Sequence, residues 1–265
     1  MNFKQAVAFV GLVAGSTLAL ATAPAYAFDL NSGSNAGTCA PLRTNYYTGA
    51  YGQVLSNATL PSCTTNDTFT LTANQGNLQG KTVGGVKGVG ITTDASDPLK
   101  DTLGEIDNVE ELSLTHATGG IFDYIDLSFL YQPGVYADEV FEVAQIVAND
   151  GTTGLLKVTG NSTAQWVVGG VVQAVTALSN SVEGAGGSYR IANPFGNKFL
   201  TGVTLKAVQQ TAPDGSFVPA NYKNADYSLV GAQLKSVPEP TTLAGLSLVG
   251  GLLMASRRRK ASQIS

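Results

Sequence analysis

From Ile125 to Tyr131 apolar and polar side chains take turns, with Ile125, Leu127, Phe129 and Tyr131 on one side and Asp126 and Ser128 on the other. A period of two marks an extended strand, because successive side chains of a strand leave on opposite faces. The same alternation places Phe69 and Leu71 between Thr68, Thr70 and Thr72, and aligns Leu112, Leu114 and His116. Further short runs rich in β-branched and aromatic residues cover 140–147, 155–159, 165–168, 171–177, 189–192, 199–208 and 227–234. Turn signals such as Asn149-Asp150-Gly151 and Asn193-Pro194-Phe195-Gly196 separate them. The stretch 138–148 reads equally as helix or strand. About ten strands at this spacing predict an all-β ectodomain over residues 28–236, an antiparallel β-sandwich or jelly roll. No internal repeat is visible.

Composition narrows the classes of function. Hydrophobic residues make up 43% of the 265, and charged residues only 13%, which excludes a coiled coil and a fully disordered chain. A net charge of −4 offers no general attraction to nucleic acid.

The two ends read as addresses rather than as fold. Lys4 precedes an apolar and small-residue run from Ala6 to Ala23, followed by Ala25-Tyr26-Ala27. A positive start, a hydrophobic stretch and a small-x-small site are the three parts of a cleavable signal peptide, here residues 1–27 with a cut after Ala27. Export makes the two cysteines informative. Cys39 and Cys63 are the only pair, and an oxidising compartment lets them form a disulfide.

At the other end, Val237-Pro238-Glu239-Pro240 leads into an uncharged run from Thr241 to Ser256 and then Arg257-Arg258-Arg259-Lys260, leaving a short tail at 261–265. The prolines hold an extended segment, the run would span about 24 Å as a transmembrane helix, and the basic cluster would stay in the cytoplasm. In this order, residues 237–260 resemble the PEP-CTERM protein-sorting domain, a tail that also bears the label of ice-binding protein C-terminal domain. The resemblance implies a bacterial chain anchored transiently in the inner membrane, cut near Pro238, Glu239 and Pro240 by an exosortase-type membrane peptidase, and released to the cell surface or matrix. The segments Gly88-Val89-Gly90-Ile91, Gly104-Glu105-Ile106-Asp107, Glu111-Leu112-Ser113-Leu114 and Ile191-Ala192-Asn193-Pro194-Phe195 are similar to β-sandwich ectodomains found ahead of such tails.

Charge is unevenly distributed in the middle of the chain. Residues 94–150 hold 13 acidic side chains and one basic, whereas the rest of 28–236 holds 5 acidic and 9 basic. Such an excess invites calcium, with Glu105 and Asp107 on one side of an extended segment and Asp94, Asp97 or Glu110 across a turn, although no EF-hand spacing is present. Solvated acidic loops are the plainer expectation. His116 is the only histidine, and its place on an apolar face favours a structural role over general-base work. No nucleophile elbow, zinc-peptidase motif or Walker loop occurs, and the Asp123/Asp126 and Glu110/Glu111 pairs could flank a glycosidic bond only as any acidic protein's carboxylate pairs could. Tyr46, Tyr47 and Tyr51 could present a platform for sugar, whereas Trp166 reads as core. A flat repeated threonine array is not apparent, since Thr68 to Thr72 stands alone.

The reading is therefore an exported, non-catalytic surface or matrix protein, with no resident cofactor, associated with exopolysaccharide. The alternatives are a carbohydrate-active hydrolase using carboxylates in 94–150 and a calcium-dependent adhesin.

Overall fold

The computed structural model describes residues 25–30, 36–44, 46–48, 54–56, 60–92, 103–107, 110–135, 140–180, 186–208 and 226–235. Both expected helices, the signal segment before residue 25 and the sorting segment after 236, lie outside these. Among the described residues no helix is long and apolar enough to cross a membrane.

Sixteen strands follow in chain order: β1 (Ala25–Asp29), β2 (Tyr46–Thr48), β3 (Val54–Ser56), β4 (Ser62–Thr64), β5 (Phe69–Ala73), β6 (Asn77–Val83), β7 (Val86–Thr92), β8 (Glu111–Ser128), β9 (Val143–Ala148), β10 (Thr153–Gly160), β11 (Thr163–Val168), β12 (Val171–Ala174), β13 (Thr176–Ala177), β14 (Tyr189–Ala192), β15 (Leu200–Ala207) and β16 (Ser228–Lys235). A short 3₁₀ helix over Gly37–Arg43 precedes β2. The all-β expectation holds, and the strand pairings are antiparallel. The main path runs β12-β11-β10-β9-β15-β8-β16-β7-β6-β3-β2.

β8 organises this path. Its first part pairs with β5 and β15, and its second part with β14 and β16. The passage between the two falls at Gly119-Gly120, where Gly119 has φ of 69° and a Cβ would come within 2.8 Å of the Leu200 carbonyl oxygen. Only glycine suits that left-handed, crowded position.

The two halves fold onto each other in a sandwich-like arrangement. Phe28, Leu78, Ile91, Ile125, Leu127 and Leu229 meet Phe69, Leu71, Leu114, Ile146, Leu156 and Leu205 in one core. Each such side chain contributes about 1.5–3 kcal/mol by leaving water. Trp166 is core, as its apolar neighbours foretold, and its indole Nε1 donates to the Pro194 carbonyl at 2.8 Å. Phe195 meets it edge-on, with ring centroids 5.8 Å apart.

Cys39 and Cys63 are bonded, as expected, with Cα atoms 5.0 Å apart. The bridge staples the 3₁₀ helix to β4.

Two local expectations need correction. The alternation from Ile125 stops at Ser128, because Phe129 takes φ of 64° and reverses the side-chain sequence. Phe129 and Tyr131 therefore join a small cluster with Val83 and Val135, while Leu130 enters the main core. The ambiguous segment 138–148 contains β9, starting at Val143. Five of its six residues after the first, Ala144 to Ala148, pair with β15, which decides the matter for a strand.

Candidate functional site

The outward side of β4, β5, β8 and β15 carries hydroxyls in register. Ser62 faces Thr72, Thr72 faces Ser113, and Ser113 faces Thr204. One step along, Thr64 faces Thr70, Thr70 faces Thr115, and Thr115 faces Gly202. Neighbouring strands lie about 4.8 Å apart and same-face residues along a strand about 6.8 Å, so the array is a regular grid of donors and acceptors. Pairs within it are already bonded: Ser62 to Thr72 at 3.1 Å, Thr64 to Thr70 at 3.0 Å, and Ser113 to Thr204 at 3.5 Å. A hydroxyl carries one donor and two acceptor positions, so each keeps capacity for a further partner.

A pocket of about 130 Å³ lies at the β8–β15–β9 end of this grid, lined by Ser113, Thr115, Thr201 and Thr204 together with Val147, Ala148 and Asn149. Gly202 makes its floor. A Cβ there would lie 2.6 Å from the Leu114 carbonyl oxygen and 2.9 Å from the Thr115 methyl carbon. The pocket is well below the several hundred Å³ of a site that engulfs a small molecule. Sequence reading found one strand of this grid, Thr70 and Thr72, and missed the rest. Ser62, Ser113 and Thr204 are remote in sequence and only the sheet brings them together.

In the acidic segment, Asp126, Glu111, Asp123 and Asp150 are each ion-paired. Asp126 accepts two bonds from Arg190, at 2.8 and 2.6 Å, and that guanidinium stacks 3.8 Å from the Tyr124 ring centroid. Burial nonetheless pushes the Asp126 carboxyl upward from its ordinary pKa, with Arg190 opposing it. Glu111 pairs with Lys206, Asp123 with Lys235, and Asp150 with Lys198 at 2.8 Å. The Lys198 bond holds the Asp150 carboxyl down at about 2. These carboxylates answer cations from outside the segment instead of standing as free acidic loops.

Of the calcium trio, Asp107 and Glu110 sit in one turn, and Glu105 faces Lys81. Glu105 is 2% exposed and lies 2.5 Å from the Lys81 ammonium, itself buried. Glu110 accepts from the Asp107 amide at 3.1 Å and returns its own amide to the Asp107 carbonyl, closing a local turn. Among the described residues no group of three or more His, Cys, Asp or Glu side chains is arranged to hold a metal ion. Glu105 is committed to the Lys81 ammonium, and Asp107 and Glu110 close a turn with each other. Asp94, Asp97 and Asp101, with Asp138 and Glu139, lie outside the described residues.

His116 is buried with both ring nitrogens engaged. Nε2 lies 3.1 Å from the Thr68 hydroxyl and 3.0 Å from the Asp67 carbonyl, and Nδ1 lies 3.3 Å from the Thr118 hydroxyl. Tyr26 and Phe69 pack on the ring at centroid distances of 4.5 and 4.8 Å. Burial lowers its pKa. This is the structural histidine that the apolar face suggested.

Ala25 and Ala27, the expected cleavage site, lie in β1 and face Lys235 and Gln233 on β16. A cut after Ala27 would keep Phe28 and Asp29 of that strand and remove the three residues before them. Pro238, Glu239, Pro240 and Arg257, Arg258, Arg259 and Lys260 lie outside the described residues, as do Tyr51 and the side chains of Tyr46 and Tyr47.

Fold and face together define an all-β antiparallel module, closed by a disulfide, with a hydroxyl-lined outer surface. No family model matches the chain, and no curated protein or solved structure matches it.

Proposed function

We infer that this is an exported, non-catalytic protein of the cell surface or extracellular matrix that associates with exopolysaccharide through its hydroxyl grid. The order of the terminal segments supports export through a signal peptide and release through a PEP-CTERM-type tail by an exosortase-type peptidase. The closed disulfide suits an oxidising destination. The observation that supports the polymer reading is the pocket over Ser113, Thr115 and Thr204, set beside paired hydroxyls on neighbouring strands. A single hydroxyl contact adds only about 0.5–1.5 kcal/mol net, so association must come from many such contacts repeated along a chain. That is the regime of a polysaccharide and a hydroxyl-lined sheet, not of a deep enzyme site.

The test is co-sedimentation of the protein, purified from culture medium, with the producing cell's own exopolysaccharide. Thr115→Val together with Thr204→Val removes two hydroxyls from the pocket without changing side-chain volume, and should reduce the bound fraction severalfold. Equal retention of wild type and variant would overturn the reading. Release of reducing ends during the same incubation would favour the hydrolase instead, and retention restored only by calcium would favour the adhesin.

A further inference from the structure

The half of the sandwich that carries the hydroxyls ends in β4 on one side and β12 on the other, and the two edges are finished differently. At β4 the outer backbone groups of Thr64 are taken: its amide donates to the Thr38 hydroxyl at 2.7 Å, and that hydroxyl donates to the Thr64 carbonyl at 3.1 Å. The Cys39–Cys63 bridge holds the covering segment in place. β12 pairs with β11, and among the described residues no strand lies beyond it. A bare strand edge is a template for another strand, and lysine, proline or a bulge is the usual guard against that. β12 has none of these: it reads Val171-Val172-Gln173-Ala174, and its ladder with β11 runs without a shift of register.

Register identifies the bare backbone groups. Val168 and Val171 face each other across the two-residue turn Gly169-Gly170, so this closing pair exchanges its hydrogen bonds inside the hairpin. Bonding direction alternates along a strand, so Gln173 also turns its groups to β11, whereas Val172 and Ala174 turn theirs outward. The side chains agree. Val171 and Val172, 59% and 57% exposed, are the barest large apolar residues among the described ones. Val172 continues a row with Val167 and Leu155, both half-buried. Charge is missing as well: no charged side chain falls between Lys157 and Glu183, in a chain of net charge −4.

We propose that β12 is a self-association edge, on which a second copy of this chain lays its own β12 antiparallel about a two-fold axis. An axis at Gln173 sets Val172 of each copy against Ala174 of the other, so the outward amides and carbonyls of both strands are satisfied by exchange. The contact is isologous and closes on itself, which leaves neither edge bare. Two copies of negative net charge repel, and like charges opposed across a ladder weaken it; the uncharged stretch 158–182 is where they can meet without that cost. With four residues on each side the contact falls at the low end of interface sizes, below about 1,200 Å², which fits a reversible pair.

The test is sedimentation velocity of the purified protein over a wide concentration series, with no polysaccharide present. One reversible step from monomer to dimer is expected. Val172→Lys guards the edge with a charge, and Ala174→Pro removes an outward N–H that only the second copy uses. Both alter exposed positions and should melt within a few degrees of wild type, while each raises the dimer dissociation constant by about tenfold or more. Thr153→Lys adds the same charge at an exposed position on β10, away from the edge, and should leave dimerisation unchanged. A wild type that stays monomeric at the highest concentration would overturn the proposal. So would folded Val172→Lys and Ala174→Pro variants that dimerise as tightly as wild type, or growth past the dimer into open-ended assemblies.

Discussion

The hydroxyl face and the β6–β7 hairpin are built from the same element under opposite solvation. On β5 and the first part of β8, Phe69, Leu71, Leu112 and Leu114 enter the core while Thr70, Thr72, Ser113 and Thr115 meet water. On the hairpin both sides are covered: Leu78, Val89 and Ile91 enter the core, and Gln79 and Lys81 are buried on the other side, where Glu105 meets Lys81. Period two therefore reports one-sided wetting, not extended backbone as such. A polar side chain on the first surface is incidental to folding. On the second it must be matched.

The largest test of this contrast is Lys81→Met, which leaves Glu105 buried without its cation. It should cost about 3–5 kcal/mol in denaturant unfolding, whereas adding Glu105→Leu should recover most of the loss. A single variant as stable as wild type would erase the contrast. Next comes the staple that joins the two regions, since the 3₁₀ helix touches β6 through Leu42 and Gly80 and is bonded to β4. Replacing both Cys39 and Cys63 by serine should lower stability by about 3 kcal/mol in the same assay.

Steric tolerance should differ in the same way. Gly90→Ala drives a methyl into the Glu105 backbone and should cost about 1–3 kcal/mol, measured by thermal melting. Thr115→Val, on the wet face, should change stability by no more than about 0.5 kcal/mol. The smallest effect is a pH dependence at His116. Burial holds its folded pKa below the ordinary 6.5, against weaker opposition from the Asp67 carbonyl and carboxylate. Its contribution is intact above the unfolded value and is lost as pH falls through it toward the folded one. Between about pH 7 and pH 5 the wild-type Tm should fall more than that of His116→Gln, and parallel curves would assign the dependence elsewhere.

This contrast also explains what could be read from the chain alone. Strands with one wet face, such as those carrying Leu114, Trp166 or Leu205, announce themselves by alternation. The hairpin Asn77–Val83 and Val86–Thr92 does not, because Gly80, Gly88 and Gly90 interrupt the pattern and Lys81 looks like a surface residue. Its burial is dictated by Glu105, a partner 24 positions away that no local period reveals. The same distance hid the hydroxyl grid, whose members at 62, 72, 113 and 204 acquire meaning only through register. The carboxylates of 94–150 were visible as an excess, but their cations on Arg190, Lys198, Lys206 and Lys235 are supplied from later in the chain.

Because β8 runs unbroken for 18 residues through both halves of the sandwich, neither half can come apart while the other stays whole. Heat or denaturant should meet one all-or-none transition, with no half-melted species trapped between. For a molecule exposed to shear, the same continuity means that a pull on either half is carried across a shared spine, and the load is spread over the ladders on both its edges.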